Sequence, residues 1–434
     1  MTTQDATLPP RARRFIWSIV AAQILVQIGG FTLPALLPTY IDRWDLTKTE
    51  AGWLIGIFFA AYVAAVPVLV SLTDRVPTRR VYVIGAALTA LSHFGFALLA
   101  DGFWSGMVLR AMAGIGWAGA YMPGLKAIAD TLEGNAQSRA VSMHAAGVGV
   151  AGASSFAVSG LIDAMFGTEA AFLFGGFAGI GAFAIAWRVM PSTIPATIPS
   201  TIPATIPSTI PATIPSAIPA RPKPTGSRAL LDFRPVFRNR RAMAWIAGYT
   251  VHTWELAALR AWGVTFLTAT AARVDAPAWL PGPTVLFTIA GFAGIVVSIA
   301  GNETAQRYGR SRVVTAAMTA AAALSLLAGW TIAASMLLAT LLVIVWNATI
   351  YLDSSALTAG TVQAADPALR GATMGLHSMS GYTGGFLGPL GVGLALDFAG
   401  PDIVLGWGLG FGHLAVITLA GLFVLRRLDR PANA

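Results

Sequence analysis

From Pro191 to Pro219 a proline stands at every fourth residue, within PSTIPATIPSTIPATIPSTIPATIPSAIPARPKP. Each proline removes a backbone donor and crowds the turn before it, and each preceding residue is pushed towards extended conformations. No helix can run through this stretch, so the chain must be built as two bodies joined by a polyproline-like or disordered spacer. No aromatic or charged residue recurs inside the repeat, which reads as a passive hinge; a docking segment for a proline-reading partner is the alternative. The expected organisation is a first unit over 1–190, a linker over 191–240 and a second unit over 241–434.

Both flanks are apolar. Charged residues make up 11% of the 434 positions, far below the roughly 25% of soluble domains, so most of the chain belongs in lipid. A bilayer core of about 30 Å takes about 20 apolar helical residues. Spans are expected near 15–40, 52–73, 81–100, 102–125, 138–163 and 169–190, then near 242–269, 282–301, 312–331, 332–358, 371–395 and 403–426. The fold class is therefore an all-α membrane protein of twelve transmembrane helices in two pseudo-symmetric six-helix bundles. The first apolar run is too long for a cleavable signal peptide. Cysteine is absent, which excludes disulfides and thiolate chemistry.

The net charge of +9 would suggest nucleic acid in a soluble protein. Its distribution gives another reason. Arg11, Arg13, Arg14, Arg75, Arg79, Arg80, Lys126, Arg139 and Arg188 fall at one side of the expected spans. So do the basic residues flanking the spacer, together with Arg307, Arg310, Arg312, Arg370, Arg426, Arg427 and Arg430. The opposite loops hold Arg43, Lys48 and Arg273. By the positive-inside rule both termini and the spacer are cytoplasmic, and neither a phospholipid head-group role nor a nucleic-acid role is expected for this charge.

The halves repeat weakly. Asp74 to Arg80 (DRVPTRR) follows the second span and Arg307 to Arg312 (RYGRSR) the eighth; Arg139 to Met143 (RAVSM) opens the fifth and Arg370 to Met374 (RGATM) the eleventh. Duplicated bundles joined on the cytoplasmic side suit a transporter that rocks about a central seam. On these residues the chain resembles a major facilitator superfamily transporter over nearly its whole length. The family's loop after its second helix reads roughly G-x-x-x-D-R-x-G-R-R; here Asp74, Arg75, Arg79 and Arg80 match, while Val70 and Pro77 stand at the glycine positions. The resemblance implies a cytoplasmic latch built on these residues with Arg307 and Arg310; a plain topology anchor is the alternative. Arg110, Gly114 and Gly116 resemble the family's R-x-x-x-G-x-G pattern, which it associates with proton coupling. A glycine–proline motif that drug–proton antiporters carry in the fifth span is missing there and has its counterpart in the eleventh, Gly384 to Gly393.

Polar residues inside spans are costly and functional by default. Arg110 lies about 12 Å along its helix at about 1.5 Å per residue. It shares a face with Trp117 and Tyr121. Its alternative role is to orient helices through carbonyls of the first span. In the seventh span Tyr249, His252, Trp254, Glu255, Arg260 and Trp262 cluster, with Glu255 near the midplane. Arg260 falls about 140° round the helix from Glu255, which leaves it free to snorkel outward. The first span offers Gln23 and Gln27, then Gly30 and Pro34, which can kink it; the tenth offers Asn347, Tyr351 and Asp353. His144 and His377 read as interfacial packing, and Trp17, Trp44, Trp53 and Trp104 as belt anchors.

Proton coupling is expected at Glu255 and Arg110, with His252 and Asp353 as further candidates. Glu255 and Arg110 are expected to face each other across the seam, so that protonation of Glu255 releases Arg110 for an anionic solute. The cavity is expected to draw on Gln23, Gln27, Trp117, Tyr121, Tyr249, Trp254, Asn347 and Tyr351. No phosphate loop or metal motif is present, so no cofactor is expected and the chain is expected to act as a monomer on a small solute and protons. The leading reading is a proton-coupled carrier of a small polar, anionic solute. Export of amphipathic drugs, a membrane enzyme and a non-transporting sensor are the alternatives.

Overall fold

The computed structural model describes residues 10–73, 75–132, 134–192 and 233–429. The repeat beyond residue 192, and Asp74 of the expected latch, lie outside the described residues. The first set of helices is α1 (Pro10–Gln27), α2 (Thr32–Ala35), α3 (Leu37–Arg43), α4 (Lys48–Leu72), α5 (Thr78–Leu99), α6 (Phe103–Thr131), α7 (Gly134–Phe166) and α8 (Thr168–Val189). After the short α9 (Arg234–Phe237) come α10 (Arg240–Ala271), α11 (Pro283–Tyr308), α12 (Arg310–Ala328), α13 (Met336–Ala364), α14 (Arg370–Ala399) and α15 (Ile403–Leu428). Among the described residues there is no strand. Among the described residues eight helices are long and apolar enough to cross a membrane by length and composition. The similarly long α6, α10 and α14 fall short because glycine and polar side chains dilute their hydropathy.

Local chemistry sets the ends. Thr47 and Glu50 form a reciprocal capping box on α4. Asn239 accepts from Ala242 N at the start of α10 and donates to Ala364 O, tying that start to the end of α13. Gly309, at φ 95°, turns α11 into α12 through a single residue, a conformation that favours glycine. The first expected span is broken rather than kinked. Helix α1 stops at Gln27, and the chain resumes as α2 and α3 after a turn through Gly29 and Gly30. His93 of α5 donates from Nε2 to Gly29 O at 3.0 Å, and a Cβ on Gly29 would sit 2.4 Å from that ring. The imidazole thus adds a second donor to a carbonyl that also accepts from Thr32 N at 3.2 Å within the turn.

The same pairings recur in both sets: α5 packs on α6 and α8, and α12 on α13 and α15. The sets meet along two seams, α4 with α14 and α7 with α11. Small residues allow that approach, as expected where lipid supplies no hydrophobic drive between helices. A Cβ on Gly52 would lie 2.8 Å from Pro389 O, and one on Gly291 would lie 2.8 Å from the Cβ of Ala153. Thr288 of α11 bridges the α7 backbone, accepting from Ala157 N at 2.8 Å and donating to Ala153 O at 2.9 Å.

At the end of the bundle opposite the arginine-rich one, Asp397 of α14 caps α4. Its two carboxylate oxygens accept from Lys48 N at 2.9 Å and Thr49 N at 2.7 Å. A carboxylate on a helix N-terminus, with both bonds charge-assisted, is worth roughly 1–2 kcal/mol. Asp397→Ala is expected to loosen the α4–α14 contact at this end, a shift of about 5- to 30-fold towards its exposure. Labelling of single cysteines placed near residues 45 and 400 reads that shift, and unchanged labelling would leave Asp397 as a local cap without a role in closure.

Candidate functional site

Three polar constellations lie inside the bundle. The first sits where the two sets meet. The Arg260 guanidinium carbon is 5.1 Å from the Phe31 ring centre and 5.5 Å from that of Tyr351, and Arg260 donates to the Tyr351 hydroxyl. Aromatic faces hold a cation without neutralising it, and no carboxylate pairs with Arg260 among the described residues. Around the same space of about 30 Å³ stand Gln27, Phe58, His93 and Trp117. Gln27 is 6% exposed, yet among the described residues neither atom of its amide has a partner, and the Trp117 indole N–H has none. Buried polar groups are normally bonded, so the Gln27 amide and the Trp117 N–H offer donors and an acceptor to whatever occupies this space, water included.

The second constellation is an aromatic layer shared by both sets. Tyr382 of α14 meets Tyr62 of α4 at 4.3 Å between ring centres, Trp117 of α6 at 5.9 Å and Phe59 at 6.1 Å. Beyond Tyr382 a vestibule of about 820 Å³ is lined by Tyr121, Met122, Tyr249, His377 and Ser378, and it reaches the basic end at Phe233 and Gly371. Trp117 borders the small space and Tyr382 the vestibule, so the layer stands between them.

The third is buried in the second set. His252 Nδ1 lies 2.7 Å from Asp353 Oδ1, an ion-pair distance. The Tyr249 ring stacks on His252 at 5.8 Å and on His377 at 3.8 Å. His377 in turn faces Thr361 Oγ1 at 3.1 Å and Thr358 Oγ1 at 3.4 Å. A line of polar rings therefore runs from the vestibule wall to Asp353.

Other residues singled out in the sequence go elsewhere. Glu255 is buried among α10, α13 and α15, where Oε1 accepts from Trp346 Nε1 at 2.6 Å and Oε2 from Thr418 Oγ1 at 2.9 Å. Arg110 donates from Nε to Leu54 O at 3.4 Å and lies 4.8 Å from the Phe58 ring centre. The expected meeting of Arg110 with Glu255 across the seam does not occur: each is held inside its own set. Arg260 does not snorkel outward but closes the central space. Asn347 donates to Ala290 O at 2.8 Å and ties α13 to α11. Trp254 donates to His413 Nε2 at 3.3 Å, away from the small space. Gln23 is fully buried near Gly147 of α7, its amide also without a partner among the described residues.

His144 and His377 are buried, not interfacial, and His144 stacks on Tyr121 at 5.6 Å. Trp44 packs against Tyr40 and Phe96 rather than facing outward. In the loop regions Arg79 lies 4.7 Å from the Trp187 ring centre in the first set, while Arg310 bonds Gln363 and Arg307 lies over Tyr308 in the second, so none of these contacts crosses between sets; Arg75 and Arg80 are exposed. Sequence reasoning missed Arg260 as a cavity residue, and it passed over His93, Tyr62 and Tyr382. An arginine inside a span was signal enough for the first; a lone histidine in the apolar third span was a weaker one for the second.

The family profile of the Major Facilitator Superfamily matches residues 19–389. The chain is 22% identical over 180 residues to the niacin transporter NiaP of Acinetobacter baylyi, a stretch covering 42% of this chain and 40% of that protein. It is 26% identical over 111 residues to the uncharacterized MFS-type transporter YwoD of Bacillus subtilis, covering 26% of this chain and 24% of that protein. These matches thus span well under half the length of either relative. Among solved structures, a bacterial homologue of the human lysosomal transporter Spinster, inward-facing and unoccupied, superposes with a TM-score of 0.74 at 15% identity. That match covers 98% of this chain and 100% of the other. The nucleoside transporter NupG superposes with a TM-score of 0.70 at 12% identity, covering 96% of this chain and 99% of the other. Likeness at such identity speaks to the fold.

Proposed function

The chain belongs to the Major Facilitator Superfamily, and from that premise we propose that it is a secondary transporter which moves a small aromatic carboxylate, or a polar anion of similar size, across the cytoplasmic membrane. In this reading residues 1–190 and 241–434 form two bundles that rock about the α4–α14 and α7–α11 seams, with 191–240 as the cytoplasmic linker. The basic end faces the cytoplasm. The vestibule at that end, together with the Asp397 clasp at the other, supports an inward-facing state.

The observation that carries the reading is Arg260, a guanidinium between two aromatic faces at the junction of the bundles, with the unpartnered polar atoms of Gln27 and Trp117 beside it. A carboxylate can take the planar fork of the guanidinium. The space of about 30 Å³ beside Arg260 admits the carboxylate alone, so stacking of an aromatic body requires the layer of Tyr62, Trp117 and Tyr382 to part. Niacin, the substrate printed in the name of one relative, has both parts and serves as a probe of this class. Proton coupling is assigned to His252 and Asp353, the pair linked through Tyr249 and His377 to the vestibule.

The test is a thermal-shift comparison of the purified protein with niacin, benzoate and their neutral amides. The acids are expected to stabilise it in a saturable way and the amides far less. Equal shifts from acids and amides would remove the anion from the reading. Shifts from bulky amphipathic cations instead would favour the drug-export alternative, which the methionines and aromatic rings of the vestibule support.

A further inference from the structure

A groove of about 710 Å³ lies between the start of α12 and the end of α15, at the basic end and on the outer surface of the bundle. Its wall is apolar and turned outward: Leu419 is 48% and Phe423 68% exposed. Its rim carries Arg426, Arg427 and the Ser311 hydroxyl. The acid that also lines it, Asp429, is already engaged by Arg241 Nε at 3.4 Å and by the Trp245 indole N–H at 3.2 Å. Both rim arginines are exposed, and neither meets an acid among the described residues. A topology anchor needs positive charge on one side of the membrane. It does not need a recess, a hydroxyl and an apolar wall on the bilayer side of that charge.

The order along the groove is informative. Arg426 and Arg427 follow Phe423 by three and four residues and Leu419 by seven and eight, so the charged rim sits about one to two turns beyond the apolar wall along α15. A phospholipid has the same order from phosphate to acyl chain. Arginine forks match phosphate oxygens. Basic recesses between helices on the cytoplasmic side suit anionic head groups. A free phosphate compound would engage the rim and leave Leu419 and Phe423 without a role.

We propose that this groove is a binding site for one anionic phospholipid, its phosphate on Arg426, Arg427 and Ser311 and an acyl chain along Leu419 and Phe423. The site is separate from the central one and does not depend on the identity of the transported solute. The experiment is native mass spectrometry of the delipidated full-length protein with phosphatidylglycerol, phosphatidylcholine or glycerol 1-phosphate added. The expected result is a single phosphatidylglycerol adduct retained at least tenfold over phosphatidylcholine, with no adduct from glycerol 1-phosphate. Arg426→Gln with Arg427→Gln is expected to remove that selectivity. Leu419→Ala with Phe423→Ala, which keeps the charge, is expected to lower retention severalfold. Equal retention of the two lipids by the unaltered protein overturns the site whether or not any variant folds. Selectivity unchanged in the arginine variant also overturns it, and glycerol 1-phosphate binding as well as the lipid would reduce the groove to an anion site.

Discussion

Arg260→Gln is expected to weaken binding of an aromatic carboxylate about 100-fold or more while leaving the protein folded. Removing one partner of a buried charged pair costs roughly 3 kcal/mol, about 100-fold in affinity. Without solute the guanidinium touches the Phe31 and Tyr351 rings and the Tyr351 hydroxyl, and it balances no carboxylate. Its loss therefore leaves no orphaned buried charge. Arg260→Lys keeps the charge but gives up the fork and much of the ring stacking, so an intermediate loss of about tenfold is expected. Isothermal titration of both variants measures this. Binding that survives Arg260→Gln intact would move the solute site away from the junction. Arg110→Gln is the matching control: its side chain serves Leu54 O and the Phe58 ring within the first set, so it should lower stability more than solute affinity.

The second large effect is on coupling. Asp353→Asn keeps an acceptor oxygen within reach of His252 Nδ1, 2.7 Å away in the unaltered protein, but removes the carboxylate that would exchange a proton with it. Accumulation driven by a pH gradient is expected to be abolished, while solute exchange down its own gradient persists. Glu255→Gln should behave differently. Both of its oxygens accept a hydrogen bond, from Trp346 and from Thr418. A glutamine would turn an N–H₂ group towards one of those donors, costing roughly 1–3 kcal/mol of stability but sparing the gradient response. The reverse pattern, coupling lost with Glu255→Gln and kept with Asp353→Asn, would return the proton to Glu255.

The contrast between Glu255 and Arg260 marks how far the sequence could be followed. Apolar run lengths, the proline repeat and the arginine asymmetry were enough to read a helical membrane protein with matching halves, because each depends on composition along the chain. Which face of α10 lines the central space does not. Helical geometry places Glu255 and Arg260 about 140° apart, so one cannot face the seam without the other turning away. The periodicity gives that relative angle but not its origin, which is set by the packing of α10 on α13, α14 and α15. Choosing Glu255 for the cavity sent Arg260 outward, whereas the structure turns Arg260 to the central space and Glu255 into the interior of the second set. The break in the first span was half legible. Gly30 and Pro34 signalled a bend, but the turn after Gln27 is also met by His93, a residue of α5, which donates to Gly29 O. Long-range partners of this kind leave no local pattern. The same holds for Asp397, whose partners on α4 lie 349 and 348 residues away.

The most direct measurement is uptake of radiolabelled aromatic carboxylate into proteoliposomes holding the purified chain, with and without an imposed pH gradient and alongside the neutral amide. Accumulation of the acid above its external concentration, dependent on the gradient and on Arg260, with no accumulation of the amide, is the expected result. Equal movement of acid and amide, or accumulation of the acid that persists in Arg260→Gln, would contradict an anion site at the junction of the two bundles.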